Sequence, residues 1–354
     1  MITYLTLFTT ASVLGLSVSD RRNLAAMLGI SLFLLWFMGS RVNVGCDFTG
    51  YYFRYVNTLP GLHLGEILSR QEPGFELLNG ILKTIGAHYM WVNVCASALM
   101  IVGYFIFARA HINPVMIMAL LFPVIIVQLG MSGIRQGIAT AALMLASVSF
   151  LKGQRLTTAL IILAGAQFHS SAYMFLPLAF LAGRRVNAMQ IGAAVLLLSP
   201  LAIYLLSDRL DVYTDRYVDQ TYGEVTSKGA LVRYALIMIP QVFFLFYYKQ
   251  LRAQFPQVYG LLKLFVIISF CLLPVAAYSS IALHRLNFYI MPFSILSFVY
   301  LSHAIAPKGR VLFTRMMPPL AYGLYQLFWF LTSSHAQNCY DPYNSFSLLI
   351  FAGG

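Results

Sequence analysis

The sequence predicts an all-α, polytopic integral membrane protein, and three observations predict it. The 354-residue chain is 60% hydrophobic and only 10% charged, with a mean hydropathy of +0.76; soluble domains do not carry so little charge. Its apolar runs are continuous, whereas membrane strands need alternating apolar and polar residues. Short turns rich in Lys and Arg separate the runs, as cytoplasmic turns between membrane helices do.

Taken in order, the runs predict about twelve spans in a single integral membrane domain over residues 1–354. Span 1 is Ile2–Ser19, and the Asp20-Arg21-Arg22 that follows is a cytoplasmic flank rather than a cleavage site. Span 2 is Leu24–Gly39. A polar, Tyr-rich outer loop occupies residues 40–74 and is broken by Glu72-Pro73-Gly74. Phe75–Ala87 is apolar on a helical period but too short to span, which makes it a re-entrant or interfacial helix. Span 3 is Trp91–Arg109 and span 4 is Val115–Gly130. Spans 5 and 6 lie within Gly133–Pro177, joined by the basic turn Lys152-Gly153-Gln154-Arg155. Span 7 is Tyr173–Gly183; two crossings within Leu156–Gly183 are tight, so a broken or tilted pair is expected there. Span 8 is Ala188–Leu206, followed by an acidic outer loop at 207–229. Spans 9 to 12 are Ala230–Tyr248, Tyr259–Ser279, Leu286–His303 and Met317–Ser333, with His284-Arg285 in an outer turn and an outer tail at 334–354.

The charges agree with this topology. Thirteen of the 23 Lys and Arg fall on the inner side, and ten of the 11 acids fall outside. The net charge of +12 does not point to nucleic acid, because the cations are scattered between spans and form no basic arm. Four Cys in a chain of this length make no disulfide framework. Cys46 and Cys339 both fall in outer segments, which leaves a bridge between them open. The sequence has no CxxC or HExxH spacing, so no metal is expected.

The candidate chemistry collects on the outer face. Arg135 opens span 5 and His169 sits near the far end of span 6, so two crossings return both to the same side. An ionisable group within the membrane costs on the order of 2.5–3.5 kcal/mol even on the lenient insertion scale, which makes each a functional candidate. The plainer alternative is an arginine that snorkels to headgroups and an interfacial histidine. Arg41 and Arg285 join Arg135 as outer arginines, and Arg is the residue for bidentate phosphate contacts. If the segment after Asp47 is helical, Asp47, Tyr51 and Tyr55 share one stripe. A carboxylate beside aromatic rings suits a sugar, although an interfacial aromatic belt would also supply tyrosines.

Six motifs occur in order: Arg41-x3-Gly45-x-Asp47-x3-Tyr51, Glu72-Pro73-Gly74-Phe75, Ile134-Arg135-Gln136-x-Ile138-Ala139, Phe168-His169-Ser170-Ser171-Ala172, His284-Arg285-x3-Tyr289 and Tyr340-x-Pro342-Tyr343. Together they resemble the EpsG family of Wzy-type polysaccharide polymerases. The family's first motif often continues with a further Asp-Tyr pair, whereas Phe48 follows Asp47 here. The resemblance implies a GT-C-like helical fold and a glycosyltransferase in the bacterial plasma membrane, active on its extracytoplasmic face. It would join undecaprenyl-diphosphate-linked repeat units into O-antigen, capsule or exopolysaccharide, with no cofactor. The implied partners are the lipid bilayer, a chain-length regulator and a flippase. Arg135, Arg285 and Arg41 would hold the diphosphate. His169 would be the general base, with Asp47 or Glu72 as the alternative, and Tyr51, Tyr55, Tyr340 and Tyr343 would line the sugar path. A membrane acyltransferase or other lipid-linked-sugar transferase, and a flippase for lipid-linked glycan, are the competing classes.

Overall fold

The computed structural model describes residues 1–17, 23–61, 64–70, 72–183, 228–306 and 311–346. Among these the protein is helical throughout, and the one β contact is an isolated antiparallel bridge between Arg41 and Ser345. Among the described residues five helices are long and apolar enough to cross a membrane: Met90–Arg109, Ile134–Leu151, Gly229–Gln254, Pro256–Ala277 and Ser280–Ala304. Five shorter apolar helices accompany them. Predicted span 8 and most of the acidic loop at 207–229 lie outside the described residues.

The chain divides into two compact units. The first comprises 1–145, 161–172 and 323–354, and the second 146–160 and 173–322. In the first unit, α1 (Ile2–Ser17) packs on α7 (Pro114–Leu121), and α2 (Leu24–Gly39) packs on α6 (Met90–Arg109). Between α2 and α6 the loop at 40–74 holds α3 (Phe48–Val56) and α4 (Leu64–Ser69), followed by α5 (Pro73–Thr84). α7 runs on as a π-helix over Phe122–Gly130, so predicted span 4 is not one uniform helix; the wider turn accommodates Pro123, which has no N–H for an i−4 carbonyl. α8 (Ile134–Leu151) and α9 (Arg155–Ala166) form the expected hairpin. A Cβ on Gly165 would sit 2.7 Å from the Ala142 Cβ. Glycine therefore sets how closely the two helices approach in this unit.

The break expected after α9 is present. A 3₁₀ turn over Ser170–Phe175 leads into the five-residue α10 (Pro177–Leu181). α11 (Lys228–Gln254) packs along α14 (Ser280–Ala304), with α12 (Pro256–Cys271) and α13 (Leu273–Tyr278) beside them. His284-Arg285 is not a turn, as the sequence suggested, but part of the first turns of α14. The reason is local: Ser279 caps that helix by accepting from the Ala282 N–H, so the helix is already under way when the chain reaches His284. α15 (Val311–Thr332) follows, and α16 (Ser334–Tyr340), which belongs to the first unit, again has a serine cap at Ser333.

Candidate active site

A buried carboxylate organises the first unit. Glu72 immediately precedes α5, and its side chain is 2% exposed. Pro73 starts that helix, where its missing N–H costs nothing. Glu72 makes no capping bond to its own helix, so its carboxylate reaches outward. One oxygen pairs with the Arg135 guanidinium. The other lies 3.1 Å from His169 Nδ1 and accepts the Ser170 N–H at 3.3 Å. Glu72 thereby supplies the negative charge that the first N–H groups of the 3₁₀ turn at Ser170 favour.

Glycines hold the cluster's three strands of chain together. The Gly74 N–H donates to the Gln167 carbonyl at 2.9 Å, and a Cβ there would lie 3.1 Å from that same oxygen. Glu72 is thus fixed two residues from the point where its chain touches the segment carrying His169. Gly45 has φ +99°, and a Cβ on it would fall 1.9 Å from the Met131 carbonyl oxygen. Only glycine lets this loop press against the turn that precedes α8. Asp47 completes that contact: its N–H donates to Ser132 Oγ at 3.2 Å, and the same hydroxyl donates to its carboxylate at 3.0 Å.

Tyr51 reaches the cluster from α3. The Arg135 guanidinium carbon lies 5.8 Å from its ring centroid. Burial pushes this phenol above its ordinary pKa, and the neighbouring Arg135 opposes the shift. Phe75, fully buried, meets the Tyr51 ring edge-on at 5.4 Å. The four positions of the Glu-Pro-Gly-Phe stretch therefore contribute, in turn, a buried carboxylate, a helix start, a close approach and an aromatic wall.

The other predicted residues sit elsewhere. Arg41 is 2% exposed and donates to the Met38 carbonyl at the end of α2. Burial pulls its guanidinium below the ordinary value, while the surrounding phenols Tyr89, Tyr340 and Tyr343 oppose that. The hydroxyls of the remaining tyrosines go to backbone carbonyls: Tyr55 to Ala87 at 2.5 Å, Tyr340 to Gln128 at 3.2 Å and Tyr343 to Phe37 at 2.8 Å. Tyr343 also stacks on Phe37, and burial pushes its phenol up to about 12. A disulfide joins Cys46 to Cys339, with 5.0 Å between Cα atoms, and ties the Asp47 loop to the α16 segment.

Arg285 belongs to the second unit. Its neighbour His284 contacts Arg233 of α11, which is buried and lies over the Phe288 ring. Sequence reasoning passed over Arg233. An arginine inside an apolar helix was the available signal, since burying a cation there is expensive. It also passed over the Arg54–Glu76 ion pair, which joins α3 to α5.

Fold and cluster together define a helical membrane protein with a buried Glu–Arg–His centre. The chain belongs to the EpsG family, whose sequence model matches residues 25–345. No curated protein and no solved structure matched it.

Proposed function

We propose that this protein is a polysaccharide polymerase that joins undecaprenyl-diphosphate-linked repeat units on the extracytoplasmic face of the bacterial plasma membrane. The observation that carries the reading is the single carboxylate of Glu72 placed between Arg135 and His169. Membership of the EpsG family supports it. The Cys46–Cys339 disulfide supports the outward face, because disulfides persist in oxidising compartments.

In this mechanism the acceptor sugar hydroxyl gives its proton to His169. Its oxygen attacks the anomeric carbon of the donor glycan, and the bond from that carbon to the diphosphate oxygen breaks. General base catalysis of this kind contributes roughly 10²–10⁴-fold. Glu72 orients the imidazole and stabilises the imidazolium that forms, as the carboxylate of a catalytic triad does. Arg135 meets the negative charge that grows on the departing diphosphate, a preorganised interaction that strengthens in the transition state. Tyr51 steadies the guanidinium and offers an aromatic face to the sugar. Arg41 acts through its field from behind the tyrosines. Asp47 positions the turn before Arg135. A chain-length regulator and a flippase would serve the same reaction sequence.

The test is polymerisation by the purified protein in lipid vesicles supplied only with lipid-linked repeat units. A product ladder stepping by whole repeats is expected. Substrate returned unchanged from the opposite leaflet, or returned carrying an acyl group when an acyl donor is present, would replace this reading.

A further inference from the structure

The first unit contains a cavity of about 410 Å³ between α3, α4 and α5. That volume lies within the range of small-ligand sites. Its charged lining is Arg54, Arg70, Glu66 and Glu76, and Asn57 and Thr58 add an amide and a hydroxyl. The cavity neighbours the Glu72 cluster. Phe75 packs between residues of each: Arg54 of the cavity lies 5.7 Å from its ring centroid, and Tyr51 of the cluster meets it at 5.4 Å. Tyr51 and Arg54 are three apart on α3 and so share a face. Glu72 and Glu76 are four apart, about 6 Å along a helix.

The lining discriminates between ligand classes. Among the described lining residues two arginines and two glutamates balance, and Arg54 is already paired with Glu76. A phosphate site needs a surplus of cationic donors, which this lining lacks. An acyl chain would strip water from four ionised groups without replacing its hydrogen bonds. A neutral, polyhydroxylated ligand meets neither objection. Its hydroxyls donate to the carboxylates and accept from the guanidinium and amide groups, and bonds to ionised partners are the stronger kind. Arg54 keeps 37% and Glu76 17% of their side-chain surface exposed, so the ion pair can be approached.

We propose that this cavity binds an uncharged stretch of the glycan substrate, one helical turn from the reacting bond. The inference rests on the polymerase reading for its choice of substrate, but not for its test. The probe is the lipid-free repeat-unit oligosaccharide released from the lipid-linked substrate by mild acid, with inorganic pyrophosphate as the contrast. Thr58→Trp fills the cavity, and it should weaken oligosaccharide binding tenfold or more while pyrophosphate binding holds. Glu66→Gln sits on an exposed stretch of α4, keeps the fold, and should weaken oligosaccharide binding several-fold. In polymerisation, KM for the lipid-linked unit should rise by more than kcat falls. Oligosaccharide binding equal to wild type in both variants overturns the inference, as does a loss of pyrophosphate binding alone. If the wild type makes no ladder yet binds the oligosaccharide and Thr58→Trp abolishes that binding, the cavity assignment stands and the polymerase reading fails.

Discussion

Glu72 Oε1 lies 3.1 Å from His169 Nδ1, across 97 positions of the chain, and the second oxygen of the same carboxylate pairs with Arg135. One buried anion therefore serves two candidate catalytic groups. Removing it strips Arg135 of its carboxylate partner in a site where the arginine side chain is only 29% exposed. Breaking a buried pair from one side costs on the order of 3 kcal/mol. Glu72→Ala should lower the thermal midpoint of the detergent-solubilised protein and abolish polymerisation. Glu72→Gln keeps the volume and should regain part of the stability but little of the activity. A Glu72→Gln enzyme with wild-type turnover would show that the charge is not needed.

Arg135 tests the leaving-group assignment. Its role depends on planar donors aimed at the diphosphate as well as on charge, so Lys is not an equivalent. Arg135→Ala should reduce kcat by about 10²–10³, the loss seen when one preorganised donor is removed. Arg135→Lys should recover some of that deficit. The measurement is single-turnover product formation with membrane insertion checked separately. Full polymerisation by the alanine variant would remove the diphosphate proposal.

That Arg135 and His169 come near one another was legible because two apolar runs joined by the basic turn at 152–155 predict a hairpin, which returns its far ends to one place. The bounds of α2 match the sequence expectation, and α5 and α6 begin within two residues of it. Glu72 was visible only as an alternative base. Its position between the other two depends on the Gly74–Gln167 contact, which joins distant segments and leaves no periodic mark. The tyrosines were legible as a class but not one by one. A phenol that lines a path and a phenol that bonds a helix-end carbonyl are the same letter, and three of the four do the latter. Arg41 is similar: an arginine at a predicted helix end reads as outward-facing until the tail is seen to cover it through the Arg41–Ser345 bridge.

Two glycine substitutions separate folding from activity. Gly45→Ala places a Cβ 1.9 Å from the Met131 carbonyl at a φ of +99°. No side chain can yield there, so the loop must leave the turn before α8, and the variant should fail to accumulate in the membrane. Gly74→Ala meets Gln167 at 3.1 Å. A displacement of a few tenths of an ångström relieves that contact. This variant should insert and melt near wild type but lose activity, because the same displacement moves Glu72 relative to His169. Membrane abundance and product ladders, measured on both variants together, check the contrast.

The disulfide makes a prediction about which side of the membrane the site faces. Cys46 and Cys339 are bonded, whereas Cys95 is half-buried and Cys271 exposed, both as free thiols. Alkylation of the denatured protein without reductant should therefore modify two cysteines, and four after reduction, read by mass. Cys46 lies next to Asp47, which holds Ser132 and hence the turn leading to Arg135. Cys339→Ser should then release the α16 segment from that loop and lower stability by about 2–4 kcal/mol, the usual contribution of a native disulfide. The membrane restricts the unfolded chain, so the lower end of that range is expected. Activity should fall with stability, since the tether and the site share one loop. Four free thiols in protein taken directly from intact cells would place Cys46 and Cys339 in a reducing compartment and remove the disulfide's support for an extracytoplasmic site.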